Sequence, residues 1–324
     1  MRAIRVTRTG GPEALQLSDV PVPEPGPGQV RVRIAFSGVN FIDTYHRSGL
    51  YPLDLPFTPG SEAAGVVDAV GAGVDRWKPG HRVAYASERG SYAEYAVVPA
   101  AKLVAVQPEV SLEAAAAVML QGMTAHYLTH DTFRLGPRHT ALVHAAAGGV
   151  GLLLVQMARF RGARVIGTVS TDEKAALAHN AGAGEVVIYT RKNFRERALA
   201  LTEGKGVDVA YDSVGRATFD ESMRSIRPRG MLVLFGNSSG PVPPIDPLLL
   251  SKRGSLFVTR PTLHHYTAER VELLNRARDI FSLLKAGKLD VRMDRVIPLE
   301  EAAQAHALLE SRKTSGKLLL RVER

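Results

Sequence analysis

The chain has 324 residues, carries a formal net charge of +9 and contains no cysteine. The absence of cysteine excludes disulfides, thiolate nucleophiles and every zinc site that uses a cysteine ligand. With 45% hydrophobic and 23% charged residues, the composition is typical of a globular protein rather than a disordered or membrane-spanning one. The length exceeds that of one ordinary core, so we expect two domains with a ligand cleft between them.

The same properties bear on location and partners. No apolar run reaches the roughly 20 residues that span a bilayer, and the N-terminus goes directly into an alternating strand pattern. We therefore expect a cytoplasmic protein without a membrane partner. Basic residues are mixed with acidic ones, as in 191–197, so solvated faces explain the positive charge best, followed by an anionic small ligand and then nucleic acid.

The first 122 residues predict a β-rich unit, and the middle of the chain predicts an α/β unit. Alternating apolar residues indicate strands at 2–7, 29–36, 62–70, 82–84 and 92–97. From about residue 123, apolar strands alternate with helical patterns, which is typical of a doubly wound parallel sheet. The strands expected there are 140–146, 164–170, 185–189, 207–212, 231–236 and 255–259, as in a complete dinucleotide-binding arrangement, with helices at 149–161, 172–181, 193–203, 216–227 and 246–252.

The end of the chain returns to a mixed pattern. We expect a helix at 268–286, a strand at 292–297, a helix at 299–311 and a final strand at 316–322. This tail is predicted to rejoin the first domain. The predicted domains are therefore 1–122 with 265–324, and 123–264.

One turn in the α/β region carries the strongest binding motif. Residues 145–151 read Ala-Ala-Ala-Gly-Gly-Val-Gly between a buried strand and an apolar helix start. Small residues let the backbone approach a pyrophosphate, whose charge the helix N-terminus stabilises. An ordinary tight strand-to-helix turn is the alternative, but the position as the first such turn of the predicted sheet favours dinucleotide binding.

The residues about 20 positions beyond this turn distinguish the two nicotinamide cofactors. An enzyme that uses NADH carries an acidic residue there for the ribose 2′-hydroxyl, whereas Ser170 stands 19 residues after Gly151. Ser170 is expected to cap the next helix, with Glu173 as its reciprocal partner. Lys174 suits a 2′-phosphate, although a solvated helix residue is the alternative. Asp172 and Glu173 argue for NADH, but the pattern as a whole favours NADPH.

Further motifs coincide with those of a known family. They are 10–13 (Gly-Gly-Pro-Glu), 39–45 (Val-Asn-Phe-Ile-Asp-Thr-Tyr), 47–52 (Arg-Ser-Gly-Leu-Tyr-Pro), 144–151, 211–216 (Tyr-Asp-Ser-Val-Gly-Arg), 235–240 (Phe-Gly-Asn-Ser-Ser-Gly) and 258–261 (Val-Thr-Arg-Pro). On these motifs the chain resembles the zinc-free quinone oxidoreductases of the zeta-crystallin type, within the medium-chain dehydrogenase/reductases, and especially the bacterial enzymes. The resemblance implies a GroES-like catalytic domain made from both ends of the chain and a central Rossmann domain that binds NADPH in the cleft.

The zinc-dependent relatives differ at two places. They carry a cysteine after a Gly-Val pair and a histidine within a Gly-His-Glu segment, where this chain has Asn40 and Ser61. A later cysteine ligand and the cysteine-rich structural zinc lobe are also missing from the sequence. We therefore expect no bound metal.

The resemblance also implies which residues meet the cofactor. Asn40, Phe41, Asp43, Thr44 and Tyr45 would lie beside the nicotinamide, with Thr124 and Tyr127 on its other flank. Gly148, Gly149 and Val150 would meet the pyrophosphate, and Ser170, Lys174 and Tyr189 the 2′-phosphate. Val214, Phe235, Asn237, Ser238, Phe257, Thr259 and Lys317 would complete the pocket. Arg260 would neutralise a cofactor phosphate or, alternatively, pin the domain junction.

Three residues are candidates for the catalytic role. The Asn40 amide can bind a ribose or a substrate carbonyl, or can simply form a turn. Tyr45 and Tyr51 can stack on a flat quinone and donate phenolic hydrogen bonds, with core or rim packing as the alternative.

The sequence therefore predicts metal-free reduction of quinones by NADPH, through either one-electron delivery or hydride transfer. The first alternative is reduction of an activated alkene, such as an enone. The second is a nucleotide- or RNA-binding protein, suggested by the +9 charge. We expect a homodimer, because the apolar strand at 255–259 would lie at a sheet edge that needs covering.

Overall fold

The N-terminal part of the chain consists mainly of strands. The computed structural model describes residues 1–322. It contains β1 (Arg2–Arg5), β2 (Gln16–Asp19), β3 (Gln29–Val39), α1 (Phe41–Ser48), β4 (Glu62–Val70), β5 (Arg82–Ala86), β6 (Tyr95–Pro99), β7 (Val104–Ala105) and α2 (Leu112–Tyr127). In β3 the buried residues Val30, Val32 and Ile34 alternate with more exposed ones, as the pattern predicts, whereas in β4 residues 62–65 are all buried.

The middle of the chain alternates strands and helices. The elements are β8 (Thr140–Val143), α3 (Gly149–Phe160), β9 (Arg164–Val169), α4 (Asp172–Ala181), β10 (Glu185–Ile188), α5 (Phe194–Leu201), β11 (Val207–Asp212), α6 (Phe219–Arg224), β12 (Ile226–Leu234), α7 (Pro247–Lys252), β13 (Phe257–Thr259) and α8 (Leu263–Tyr266). The strands form one six-stranded sheet in the order β10-β9-β8-β11-β12-β13, with every pair parallel. This order confirms the predicted doubly wound, Rossmann-type fold.

The C-terminal part of the chain supplies α9 (Arg270–Lys285), β14 (Met293–Pro298), α10 (Ala302–Glu310) and β15 (Lys317–Arg321). Strand β15 pairs antiparallel with β3, placing Leu318 opposite Val39, and β14 pairs parallel with β15. The second large sheet therefore has the order β14-β15-β3-β4-β5-β7, with β6 also on β3.

The chain divides into two compact units. One contains Met1–Met123 together with residues 266–322, and the other contains Thr124–His265. The first has an apolar core that includes Ile34, Val67 and Leu318. The second has its own core around Leu142 and Leu232. No helix in residues 1–322 is long and apolar enough to cross a membrane.

Several element ends differ from those expected, and backbone conformation explains two of them. Strand β8 ends at Val143 rather than at residue 146, because the chain turns at Ala145, whose φ is +49°. Strand β13 begins at Phe257 rather than at residue 255, because Ser255 has a φ of +58°. The predicted helix 216–227 is shortened to α6, since β12 already begins at Ile226.

Candidate functional site

The glycine-rich turn lies between β8 and α3. The N-cap of α3 is Gly148, so no side chain caps the helix. Gly148, Gly149 and Val150 are half-buried. As at any helix start, the first amides of α3 have no carbonyl partner within the helix and point outward. A Cβ at Gly151 would lie 2.2 Å from the carbonyl oxygen of Ala145, so only glycine fits there. The turn is therefore a close-packed backbone cradle suited to an anionic group.

A buried polar network supports this turn and the neighbouring loop. His144, at the end of β8, contacts the hydroxyl of Thr168 at 2.9 Å and that of Ser222 at 2.8 Å. Ser222 donates to Asp212, which also accepts from the backbone amide of Val214 at 2.8 Å. Burial lowers the pKa of His144. The network fixes the loop that carries Val214, one of the predicted pocket residues.

The residues predicted to contact a 2′-phosphate lie after β9, in the first turn of α4 and after β10. Ser170 follows the last residue of β9, and the adjacent β10 leads into Tyr189, which is 47% exposed. The helix cap is Thr171 rather than Ser170, because Thr171 Oγ1 accepts from the Lys174 amide at 3.3 Å. The expected capping role of Ser170 is therefore wrong. Its carbonyl instead accepts from the hydroxyl of Thr190.

The acidic residue that argued for NADH is already engaged. Both carboxylate oxygens of Asp172 accept from Arg191, at 2.9 and 2.5 Å. The guanidinium of Arg191 lowers the pKa of Asp172. Arg191 thus balances the negative charge of Asp172 beside Ser170 and Lys174. The Asp172 carboxylate therefore repels an approaching phosphate less strongly.

The remaining predicted residues of this unit follow the carboxyl ends of the same parallel strands. Val214 follows β11; Phe235, Asn237 and Ser238 follow β12; and Arg260 follows β13. Because parallel strands all end at one edge of the sheet, these loops share an edge with the glycine-rich turn. Arg260 donates to the carbonyl of Leu234 at 3.0 Å, a contact within the same unit. Phe257 and Thr259 lie in β13 itself, and Phe257 is 59% exposed.

In the other unit, a buried polar cluster surrounds Asn40. The ammonium of Lys317 lies 2.5 Å from Glu62 Oε2 and 2.9 Å from Asn40 Oδ1. Asn40 Nδ2 donates to Glu62 at 2.9 Å and more weakly to the carbonyl of Gly38 at 3.4 Å. A Cβ at Gly38 would lie 2.0 Å from Glu62 Oε2, so glycine is needed for the cluster to close. The Asn40 amide is thus committed to partners within the protein.

Gln121 joins this cluster and was not foreseen. Its Nε2 donates to Asn40 Oδ1 at 3.1 Å, which fixes the orientation of both amides. Gln121 Oε1 is buried and has no hydrogen-bond partner in the described structure. An unpartnered buried acceptor is costly, so this atom is a natural place for a donor from a bound molecule or water.

Asp43 lies in the first turn of α1 and is fully buried. Asp43 accepts from the backbone amide of Asn40 at 2.9 Å, from the Ser61 hydroxyl at 2.9 Å and from the Tyr92 hydroxyl at 3.3 Å. Burial raises its pKa to about 7, although the hydrogen bonds from Asn40 and Ser61 oppose the rise. Asn40 and Ser61, where zinc-dependent relatives have ligands, are thus both tied into hydrogen bonds. In residues 1–322, no cluster of three or more His, Cys, Asp and Glu side chains could hold a metal ion.

Aromatic side chains gather beside this cluster. The rings of Tyr45 and Tyr51 are 5.2 Å apart in an edge-to-face arrangement, and Phe41 lies 6.2 Å from Tyr45. The backbone amide of Tyr51 donates to the carbonyl of Tyr45, which ties the loop after α1 to the helix. Tyr45 is mostly buried, whereas Tyr51 is half-buried.

The predicted residues thus fall into two groups, one in each unit. Within its own unit, the structure brings Asn40 together with Lys317 and Tyr45 with Tyr51. Thr44 donates to the Phe41 carbonyl inside α1, and Thr124 and Tyr127 are buried in α2. Sequence reasoning missed Gln121, Tyr92, His306 and the structural role of Glu62. No local spacing marks them, because their partners lie far away in the chain.

Two family models match large parts of the chain. Residues 26–108 match the family model described as "Alcohol dehydrogenase GroES-like domain", and residues 149–275 match the one described as "Zinc-binding dehydrogenase". These matches confirm the predicted GroES-like and Rossmann-type domains.

Individual relatives match over nearly the whole chain. A quinone oxidoreductase of Pseudomonas aeruginosa is 47% identical over 98% of this chain and 99% of the relative. A 2-haloacrylate reductase of Burkholderia sp. is 43% identical over 97% of both chains. The crystal structure of Escherichia coli quinone oxidoreductase complexed with NADPH superimposes with a TM-score of 0.97 at 43% identity, covering 99% of this chain and 100% of that one. The chain therefore belongs to the quinone oxidoreductases of the medium-chain dehydrogenase/reductase family.

Proposed function

We propose that this protein is an NADPH-dependent oxidoreductase that reduces quinones. The observation that carries the cofactor assignment is the loop after β9, where Ser170 replaces an acidic residue and Asp172 is held by Arg191. Lys174, in the first turn of α4, supplies a positive charge for the 2′-phosphate. Family membership and the NADPH complex of the Escherichia coli relative support the same assignment.

The two groups of residues have separate tasks in this proposal. The backbone of Gly148, Gly149 and Val150 holds the pyrophosphate at the start of α3. NADPH, when bound, supplies the electrons for the reduction. Residues 123–264 form the cofactor-binding domain, and 1–122 with 265–324 form the catalytic domain.

The contacts of the remaining predicted residues with NADPH are part of the same proposal. These residues are Phe41, Asp43, Thr44, Thr124, Tyr127, Tyr189, Val214, Phe235, Asn237, Ser238, Phe257, Thr259, Arg260 and Lys317. Asp43 and Lys317 are buried and already bound to neighbours, so they act by shaping the site around Asn40.

The aromatic pair holds the acceptor. Tyr45 and Tyr51 offer ring surfaces and phenolic hydroxyls, which suit a flat quinone with two carbonyl groups. A quinone is already a strong electrophile, so positioning contributes much of the rate enhancement. Asn40 is held rigidly by Glu62 and Lys317, and it shapes the floor of this site.

A steady-state assay tests the proposal. NADPH oxidation is followed with a naphthoquinone as acceptor, and the assay is repeated with NADH. We expect turnover of the naphthoquinone with NADPH and a much higher KM for NADH. Equal KM values for the two cofactors would remove the argument from Ser170 and Lys174.

The second candidate function is the reduction of activated alkenes. The 43% identity to a 2-haloacrylate reductase favours it, since that substrate's name describes an alkene activated by a carboxylate. Running the same assay with an enone or a haloacrylate separates the two. Turnover of the alkene without turnover of the naphthoquinone would assign this second function instead.

We further propose a homodimer of the zeta-crystallin type, formed through β13. This strand lies at the edge of the sheet, and its Phe257 side chain is 59% exposed. Sedimentation at micromolar concentration should show a dimer, and Phe257→Lys should shift it to monomer. Val271, which is 63% exposed on α9, provides the matched control Val271→Lys. A monomeric unmutated protein would refute the dimer.

The cytoplasmic location stays a prediction. Fractionation of cells that express the tagged protein would test it, with a signal in the membrane or extracellular fraction as the contrary result.

A further inference from the structure

Two buried residues of opposite charge lie one turn apart on the same face of α1. Asp43 is 0% exposed and Arg47 is 2% exposed. Two neutral side chains connect them: Tyr92 contacts Asp43 at 3.3 Å, and His306 contacts Tyr92 at 3.0 Å and Arg47 at 3.2 Å. All four side chains are buried, so they form a closed loop against the inner face of the helix.

The direction of each hydrogen bond in this loop follows from Arg47. A guanidinium can only donate, so His306 Nδ1 accepts and the ring proton must sit on Nε2. Nε2 then donates to the Tyr92 hydroxyl, which leaves the Tyr92 proton for the Asp43 carboxylate. Burial and the charge of Arg47 lower the pKa of His306 to about 3, so the ring stays neutral.

The charges around the loop are balanced on each side. Arg47 forms a two-pronged ion pair with Glu310, at 3.0 and 2.8 Å, and donates to the carbonyl of Gly10. On the other side, Lys317 lowers the pKa of Asp43 and Glu62 raises it. The ring of hydrogen bonds therefore begins at the guanidinium of Arg47, which only donates, and ends with the Tyr92 hydroxyl donating to the carboxylate of Asp43.

Asp43 connects these hydrogen bonds to the candidate site. Its carboxylate accepts from the backbone amide of Asn40, the residue that caps α1, and from the hydroxyl of Ser61. A carboxylate that accepts from three donors holds all of them in place, whereas a protonated carboxyl must give up at least one. The start of α1 is thus held most firmly when Asp43 is an anion.

We propose that Tyr92 and His306 are positioning residues that act through Asp43 to hold the start of α1, and with it Asn40 and Tyr45, in the orientation required by the reaction. Arg47 fixes the tautomer of His306, and His306 orients the Tyr92 proton toward Asp43. The inference rests on the proposed function for the identity of the reaction. The contacts that carry it lie entirely within one unit.

Tyr92→Phe tests the proposal, because it removes one hydroxyl and leaves the ring packing. The readout is the infrared carboxyl band of Asp43, identified by its loss in Asp43→Asn and followed across pH in the cofactor-free protein. We expect its titration midpoint to move upward by about one pH unit, since a donor to the anion is lost. We also expect kcat with naphthoquinone at pH 7 to fall about fivefold, because the anionic fraction of Asp43 drops from about half to about a tenth, and to recover at higher pH.

Tyr85→Phe is the matched control. Tyr85 is as fully buried as Tyr92, but its hydroxyl has no hydrogen-bond partner in the described structure. This variant should leave both the infrared midpoint and kcat unchanged. If Tyr92→Phe behaves like Tyr85→Phe in both measurements, the positioning role is refuted.

Substitution of His306 gives a second test. His306→Gln keeps a donor near the Nε2 position, whereas His306→Leu removes it. We expect His306→Leu to raise the infrared titration midpoint and lower kcat. His306→Gln should stay close to the unmutated protein in both quantities, and NADPH affinity should change little in either variant. If the two variants are equally stable to heat and show the same change in midpoint and the same loss of kcat, the proposal is overturned. Failure of the unmutated protein to reduce naphthoquinone would instead refute the proposed function, while the infrared shift would still report on the loop.

Discussion

The ammonium of Lys317 lies 2.5 Å from a carboxylate oxygen of Glu62, and the two side chains are 1% and 0% exposed. Glu62 also accepts from the backbone amide of Leu120 at 2.6 Å and from Asn40. The pair joins β15, near the end of the chain, to β4 in its first quarter. Removing one partner would leave the other charge buried without compensation.

Lys317→Met should therefore destabilise the protein by about 3 to 5 kcal/mol in urea denaturation. The matched control is Lys285→Met, which breaks the ion pair with Glu109, where both side chains are 51% exposed. That change should cost far less, because water screens the exposed pair. Similar costs for the two variants would contradict the view that Lys317 compensates a buried charge.

Gly151→Ala should abolish tight NADPH binding. The new Cβ would lie 2.2 Å from the Ala145 carbonyl oxygen, so the turn that cradles the pyrophosphate must move. We expect at least about a tenfold rise in the Kd for NADPH, measured by fluorescence titration. Gly136→Ala is the control, since a Cβ there meets only His139, at 3.9 Å. An unchanged Kd in Gly151→Ala would show that the turn does not bind the cofactor.

Lys174→Ala should separate the two cofactors. A lost charge-assisted hydrogen bond should raise the Kd for NADPH about tenfold or more and leave that for NADH unchanged. Parallel losses for both cofactors would mean that Lys174 does not contact the 2′-phosphate.

Arg191→Ala should have a smaller effect of the same kind. Without Arg191 the charge of Asp172 is no longer balanced, so we expect the Kd for NADPH to rise about two- to fivefold. Asp172→Asn in the same protein should restore it. The control is Arg197→Ala, which breaks an exposed contact with Glu185. A loss that Asp172→Asn does not rescue would argue against charge balance as the cause.

The pH dependence of stability should carry a contribution from His306. Its pKa is about 3 in the folded protein against an ordinary 6.5, so between these values the unfolded chain binds a proton that the folded one does not. The free energy of unfolding should therefore fall as the pH drops through this window, by about 1.4 kcal/mol per pH unit from this residue. Asp43, with its raised pKa, contributes with the opposite sign between 3.8 and 7.

The difference between unmutated protein and His306→Gln isolates the histidine. Urea denaturation at a series of pH values should give a smaller loss of stability toward acid in the variant. Parallel curves would mean that the histidine binds protons equally in the folded and unfolded states.

The fold was largely predictable because strand periodicity and strand-helix alternation are local signals. The six strands of the Rossmann-type sheet and their parallel arrangement follow from them. The ends of β8 and β13 were not predictable, since non-glycine residues with positive φ, Ala145 and Ser255, end the regular backbone there. Likewise, Ser170 and Thr171 are both good helix caps, and only the length of β9 decides between them.

The candidate site was predictable only in part. The glycine-rich turn is a contiguous motif, and the family resemblance named both Asn40 and Lys317 as site residues. The contacts of Gln121 with Asn40 and of His306 with Tyr92 join residues 81 and 214 positions apart. Such contacts arise from tertiary packing, as where β15 pairs with β3 and α10 packs against β15, and no local spacing reveals them.

The measurement that tests the central claim most directly is a single turnover with one equivalent of NADPH. The purified protein is loaded with NADPH, mixed rapidly with a naphthoquinone, and the loss of NADPH absorbance is followed beside the appearance of reduced quinone. The proposed function predicts that NADPH disappears in step with quinone reduction, and that Lys174→Ala lowers the rate at subsaturating NADPH. Tight NADPH binding without any transfer to the naphthoquinone would contradict it.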